Sequence, residues 1–426
     1  MDMIRRFWEK IMQKGFWKLG LFFALIGPGI ITSNVDNDAG GIYTYSVAGA
    51  RYGYSLLWTL VPITIALIVV QEMVARMAIV TGKGLADLIR EEYGFRTTFI
   101  LMVVLLLTNL GNTVSEFAGL ASGMSVFHVS RFISVPLGAL LVWLLVVRGT
   151  YRVVEKIFLL ACFFYVSYLI SGFMAHPTWK QAALGTIKPA IALDTNYLYM
   201  IIGLVGTTIA PWMQFYLQAA VVEKGIKLKH YVQSRWDVII GCIIVDVVAF
   251  FIIVACAATI YVTGNRQINS AADAALALKP LAGSAASALF AFGLVNASLF
   301  AASILPLATA YTVCEGLGFE SGINKRPHEA PAFYSLYTGL IIVGGLTVLV
   351  LRETMQVPII LFSQVANGIL LPFVLIFMLR LCNREDLMGS YRNTRLFNII
   401  AWTTCIVIIT LTVLLVISSF LPGYLP

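Results

Sequence analysis

The stretch GPGIITSNVDNDAGG, residues 27–41, decides the fold of this chain. It continues an apolar run and carries two acids, Asp36 and Asp38, and two amides, Asn34 and Asn37, at the depth of a lipid bilayer. A single charge at that depth costs roughly 2.5–3.5 kcal/mol on insertion scales and more in simulation. These side chains therefore need a polar environment built by the protein itself. Gly40 and Gly41 mark a break in the helix, and helices broken near the midplane are where secondary transporters bind ions. The pattern points to cation transport.

Outward from that stretch the chain reads as membrane throughout. Of its 426 residues 59% are apolar and 12% charged, with a mean hydropathy of +0.88; soluble proteins carry about 25% charged residues. Eleven apolar spans follow one another at 19–50 (broken), 54–79, 97–126, 132–149, 153–174, 194–222, 233–262, 284–316, 333–351, 356–381 and 395–421. Spans of this length suit a hydrocarbon core of about 30 Å. The amphipathic segment 1–18 precedes them with no small-residue cleavage pattern after it, so no signal peptide is expected. The net charge of +8 is a matter of sidedness rather than nucleic-acid binding: 22 of the 29 Lys and Arg fall on the side of the N-terminus and 7 on the other. That bias predicts a cytoplasmic N-terminus and an extracytoplasmic C-terminus, in a multi-pass protein of the cell membrane. The connection segment Ser270–Lys279 reads as a short surface helix.

A second interruption lies in MIIGLVGTTIAPWMQFYLQAA of the sixth span, where Gly203, Gly206, Thr207, Thr208 and Pro211 fall near the middle. Proline removes a backbone donor and glycine weakens the helix around it. Two breaks five spans apart are the pattern of two inverted five-helix repeats, here 1–190 and 191–385, with an extra helix in 386–426. Freed carbonyls and carboxylates would meet across the midplane, and these are hard oxygen ligands for a small hard cation. Six cysteines without a C-x-x-C pair read as packed thiols. The four histidines, His128, His176, His230 and His328, lie near span ends or in loops, so no imidazole site forms within the membrane.

The run Gly27–Gly82, GPGIITSNVDNDAGGIYTYSVAGARYGYSLLW…QEMVARMAIVTG, resembles the Nramp family of divalent-metal transporters, and so does SQVANGILLPFVLIFMLR at Ser363–Arg380. The resemblance covers nearly all eleven spans. It implies an all-α polytopic fold of eleven transmembrane helices, LeuT-like, with helices 1 and 6 broken and alternating access; typical members move Mn²⁺ or Fe²⁺ with protons. The family's D-P-G-N motif in the first helix falls on Asp38, with Ala39 for its proline and Gly41 for its asparagine. Its A-x-x-M-P-H motif falls on Thr207, Ala210, Pro211 and Trp212, so alanine stands where a thioether ligates transition metals. A second histidine position is Leu217, the third-helix Asp–Glu pair is Thr113 and Glu116, and a tenth-helix glutamine is Leu370.

These departures share a physical sense. Thioether sulfur favours softer metals, whereas Mg²⁺ and Ca²⁺ prefer oxygen. Mg²⁺ sheds water reluctantly and would travel partly hydrated, and Gly41 and Ala210 leave room for that water while Thr207 adds a hydroxyl. The missing histidines and aspartate leave few titratable groups for a proton path. The chain thus resembles the Nramp-related magnesium transporter branch, which implies import of Mg²⁺, with Mn²⁺ tolerated, driven by its gradient and the membrane potential. No cofactor and no obligate protein partner are expected; the partners are the divalent ion and the bilayer.

The metal-binding set expected on these grounds is Asp38, Asp36, Asn37, Gly41, Thr207, Ala210 and Asn367, with Glu116 on an inner exit path. Each has a plainer reading. Asp38 also suits the N-cap of the second half-helix; Asn37 and Thr207 suit local capping or back-bonding; Asn367 suits an interhelical hydrogen bond. Glu72 has Arg76 four residues on, the spacing of a helical ion pair. Asp237 and Asp246 in the seventh span read as gating or packing contacts. The rivals are a proton-coupled Mn²⁺/Fe²⁺ transporter and an organic-solute symporter of the same architecture. An intramembrane enzyme would need a catalytic constellation that the motifs do not supply, and a scaffold leaves Asp36 and Asp38 unexplained.

Overall fold

The computed structural model describes residues 27–190, 195–264, 268 and 271–420. The amphipathic segment 1–18, the start of the first span at 19–26, and Arg266 lie outside the described residues. Among the described residues every regular element is helical. The first span is split into α1 (Pro28–Asn34) and α2 (Ala39–Tyr52). Then follow α3 (Leu60–Thr81), α4 (Leu85–Val126), α5 (Arg131–Arg148), α6 (Tyr151–Phe164), α7 (Val166–Met174) and α8 (Trp179–Ile187). The sixth span is split into α9 (Thr195–Thr208) and α10 (Pro211–Lys224). The longer helices that remain are α11 (Tyr231–Cys256), α12 (Ala271–Leu317), α13 (Pro331–Val350), α14 (Glu353–Asn383) and α15 (Arg395–Phe420). Among the described residues ten spans are long and apolar enough to cross a membrane, beside the divided first span.

Burial sorts the spans into centre and rim. The apolar window of α9–α10 is 94% buried and that of α3 78%, against 17% for α15, 28% for α5 and 33% for α6–α7. Phe132, Ile133, Leu137, Leu140 and Leu141 of α5 face outward. Lipid offers no hydrogen bonds, so interrupted helices are tolerable only inside protein. The two breaks accordingly sit at the centre, and α5, α6–α7 and α15 face the lipid.

The first break falls at Val35–Asp38, on the acids themselves, whereas Gly40 and Gly41 lie inside the first turn of α2. This corrects the expectation that the glycines mark it. Aspartate caps a helix N-terminus well, and Asp38 does so with an extended backbone (φ −72°, ψ −179°). The glycines are needed for space: a Cβ on Gly40 would collide with the Gln364 side chain, and one on Gly41 with the Asp36 carbonyl. The second break, Ile209–Ala210, falls as the sequence predicts, with Pro211 opening α10.

Helix α11 runs alongside the divided first span. Gly241 abuts Gly29 and Ile30, where an added Cβ would lie 2.8 Å from the Ile30 Cα. Cys242 Sγ lies 3.5 Å from Ser33 Oγ, and Asn37 Nδ2 donates to the Val245 carbonyl at 3.1 Å. Facing small residues let the two backbones approach this closely. Two sharp turns, at Gly94 (φ 78°) and Gly283 (φ 84°), set short helices at an angle to the membrane-crossing parts of α4 and α12. The second of these short helices, from Ala271, is the one read from Ser270–Lys279; the first, from Leu85, was not read from the sequence.

Candidate functional site

Each half-helix end places one part of the site. At the first break the chain tightens, with Asp36 N donating to the Ser33 carbonyl and Asn37 N to the Asn34 carbonyl, both at 3.2 Å. The Asn37 carbonyl then accepts from Tyr165 Oη at 3.1 Å. Asp38 Oδ1 accepts the Gly41 N–H at 2.5 Å, and Glu116 Oε2, arriving on α4, accepts the Ala39 N–H at 3.1 Å. A helix N-terminus carries unsatisfied donors and partial positive charge; here two carboxylates meet it.

At the second break Pro211 has no N–H, so the Thr207 carbonyl loses the donor that an unbroken helix would supply. The Thr207 hydroxyl is also unpartnered. Thr208 Oγ1 donates to the Leu204 carbonyl at 2.8 Å, so Tyr45 Oη donates to Thr208 Oγ1 at 2.7 Å, joining the two broken spans. The Ala210 carbonyl is taken within its own half-helix by Met213 N at 3.2 Å and Gln214 Nε2 at 3.3 Å.

The two breaks meet at Gly41. From the position a Cβ would occupy there, Thr207 Oγ1 is 3.1 Å away, Asp38 Oδ1 3.3 Å, and the Asp36 carbonyl nearer still. The expectation that glycine leaves an open space is therefore corrected: in this conformation protein oxygens close onto it. The site is shut off from solvent, since Asp38 at 4% is the most exposed of Asp36, Asn37, Asp38, Thr207, Ala210 and Glu116. Many of its polar atoms lack hydrogen-bond partners: both oxygens of Asp36, Asn37 Oδ1, Glu116 Oε1 and the hydroxyls of Thr207 and Ser115. No group of three or more His, Cys, Asp or Glu able to hold a metal occurs among the described residues. An ion here would be held by a few carboxylates together with carbonyls, hydroxyls and its own water.

Some expected residues lie elsewhere than foreseen. Asn367 exchanges hydrogen bonds with Asn112, at 3.2 and 3.3 Å, and its amide is engaged there. One turn earlier Gln364 reaches the site instead, with its Nε2 unpartnered and facing Gly40. Its spacing of three residues before Asn367 was the signal available in the sequence. Glu116 stands at the break, beside Asp38. Asp237 accepts three N–H groups at the start of α1: Gly27 at 3.1 Å, Gly29 at 2.7 Å and Ile30 at 3.3 Å. Glu72 pairs with Arg76 at 3.2 Å and accepts from Tyr231, a structural cluster away from the breaks. Trp212 is buried in the first turn of α10.

The comparisons with known proteins bear on the family and the fold. A family model described as natural resistance-associated macrophage protein-like, Nramp, matches residues 29–418. The divalent metal cation transporter MntH of Deinococcus radiodurans is 27% identical over 406 residues, covering 91% of this chain and 88% of that protein. MntH of Granulibacter bethesdensis is 25% identical over 425 residues, covering 96% and 91%. A crystal structure of the Eremococcus coleocola manganese transporter superposes with a TM-score of 0.77 at 23% identity, covering 96% of this chain and 90% of that one. Mhp1, a nucleobase-cation-symport-1 family transporter in a closed conformation, gives 0.58 at 13% identity. At such identities the two structures speak for the fold alone.

Proposed function

Since this chain belongs to the natural resistance-associated macrophage protein-like family, we propose that it carries a divalent metal ion across the cell membrane by alternating access. We further propose that the ion is Mg²⁺, with Mn²⁺ tolerated, and that it moves without protons. The observation that carries this reading is that the three atoms nearest the Cβ position of Gly41, where the breaks meet, are all oxygens. Ala210 brings no sulfur, and the sulfur of Met213, one turn on, accepts from Gln71 Nε2 at 3.5 Å. A soft ligand is what lets a site prefer transition metals over far more abundant hard ions.

The unpartnered groups support a partly hydrated ion. Water bound to a cation turns its hydrogens outward and needs acceptors. Asp36, Asn37 and Glu116 present free oxygens, and Thr207 and Ser115 present hydroxyls. Mg²⁺ characteristically keeps several waters and takes one or two carboxylates, which suits Asp38 and its neighbours.

One observation favours the second reading, proton-coupled transport of Mn²⁺: the Glu116 carboxyl adjoins Asp38, and one of its oxygens is unpartnered. Uptake into proteoliposomes loaded with a Mg²⁺ dye and an internal pH dye separates the two. Mg²⁺ entry that follows membrane potential without acidification is the expected result. Mn²⁺ entry accompanied by protons, with Mg²⁺ excluded, would overturn the magnesium reading and leave the family assignment standing.

A further inference from the structure

We propose that Asp246 joins Asp36 in a second divalent-cation site beside the first break, at which the transported ion is held on its way to or from Asp38. This rests on the transport reading above and adds a ligand and a stopping point to it.

The register of α11 against the first span places the residue. Asp237 meets residues 27–30, Gly241 meets Gly29 and Ile30, Cys242 meets Ser33, and Val245 meets Asn37. Asp246 is the next residue and lies one helical turn beyond Cys242, so its side chain comes beside the break. Asp36 and Asp246 both lie within electrostatic reach of Tyr45 and Cys242, and Asp36 is within reach of Asp246.

Both carboxylates are buried, at 1% and 6% exposure, and none of their four oxygens has a hydrogen-bond partner. The Thr64 hydroxyl lies alongside Asp246 but donates to the Leu60 carbonyl at 2.7 Å. Two unpaired carboxylates in reach of each other repel and are costly to bury. Two other buried acids here have donors: three N–H groups for Asp237, Arg76 and Tyr231 for Glu72.

The amides next to the pair are oriented to match. Asn34 Nδ2 donates to the Ile30 carbonyl at 2.8 Å and Asn37 Nδ2 to the Val245 carbonyl at 3.1 Å, while both Oδ1 atoms remain unpartnered and fully buried. Donors are turned away and acceptors are left free. A surrounding of carboxylate and amide oxygens is one that a hard divalent cation completes.

The test is thermal unfolding of the purified full chain in detergent, with EDTA and then with rising Mg²⁺, alongside uptake. Asp246→Asn removes the charge and keeps the shape. The variant is expected to be at least as stable as wild type in EDTA, because an unpaired buried charge is gone. It should need at least about tenfold more Mg²⁺ for the same protection, with a similar rise in half-saturation for uptake. Asp36→Asn should behave alike, and the double variant should be no worse than either single one, as expected of one shared site. A variant that is less stable in EDTA with unchanged Mg²⁺ dependence makes Asp246 structural and overturns the proposal. Asp246→Ser serves as the second variant, and failure of both to fold overturns it equally. Wild-type protein that takes up neither Mg²⁺ nor Mn²⁺ would instead sink the transport reading.

Discussion

The Gly29 N–H donates to the Asp237 carboxylate at 2.7 Å, across 208 residues of sequence. Gly27 and Ile30 donate to the same carboxylate, so α1, which has no side-chain cap of its own, is capped by a neighbouring helix. The Lys224–Glu155 ion pair, at 2.7 Å, stands over Gly27. A seven-residue helix that ends in the candidate ion site is thereby clasped at its far end.

Asp237→Ala should loosen that clasp. Loss of a cap and of its buried hydrogen bonds costs about 1–2 kcal/mol, visible as a lower unfolding temperature and faster thiol labelling of a Ser33→Cys reporter. Asp237→Asn, which keeps one acceptor oxygen, should fall between. No change in either readout for Asp237→Ala would mean that α1 is not held there.

Asp38 has two roles that substitution can separate. Asparagine caps as well as aspartate, so Asp38→Asn should leave α2 folded and abolish divalent uptake by removing the charge. Asp38→Ala should lose uptake and about 1 kcal/mol of stability besides. Uptake retained by the asparagine variant would remove Asp38 from the ion's path.

At Gly41 the constraint is steric. A Cβ there meets the Asp36 carbonyl and lies 3.1 Å from Thr207 Oγ1, so Gly41→Ala should displace oxygens that line the site. We expect at least about a tenfold loss of uptake, in line with displaced ion-site contacts, with the folded protein recovered in normal yield. Wild-type kinetics would show that the approach around Gly41 has no part in transport.

Ala210→Met supplies the missing thioether. Competition uptake should then shift toward Mn²⁺ over Mg²⁺, because sulfur rewards the softer ion. An unchanged ratio would show that selectivity is set by cavity shape or by the carboxylates.

Much of the fold was legible before any coordinates. The span read at 233–262 is observed from Tyr231, and that read at 284–316 ends at Leu317, because hydropathy is a property of each segment alone. Asp36 and Asp38 announced a polar interior in the first span and Pro211 a break in the sixth, since a charge or a missing N–H in lipid demands explanation wherever it packs; the first break, read at Gly40 and Gly41, falls on the acids instead. The site's company was less legible. Glu116 meets Ala39 across 77 residues, Gln364 faces Gly40 while Asn367 turns to Asn112, and no periodicity in α4 or α14 distinguishes those faces.

The sequence by itself determined the number and order of the spans, which two of them are broken, and the absence of sulfur and imidazole at Ala210 and Trp212. Those follow from residue chemistry and from the energy of burying it. Only the tertiary structure decided which buried acids are satisfied. Asp237 and Asp246 lie nine residues apart on one helix and look equivalent in the chain, yet one receives three N–H groups and the other none. A hydrogen bond belongs to a pair of atoms in space, and that pairing is set by how α11 packs along α1 and α2.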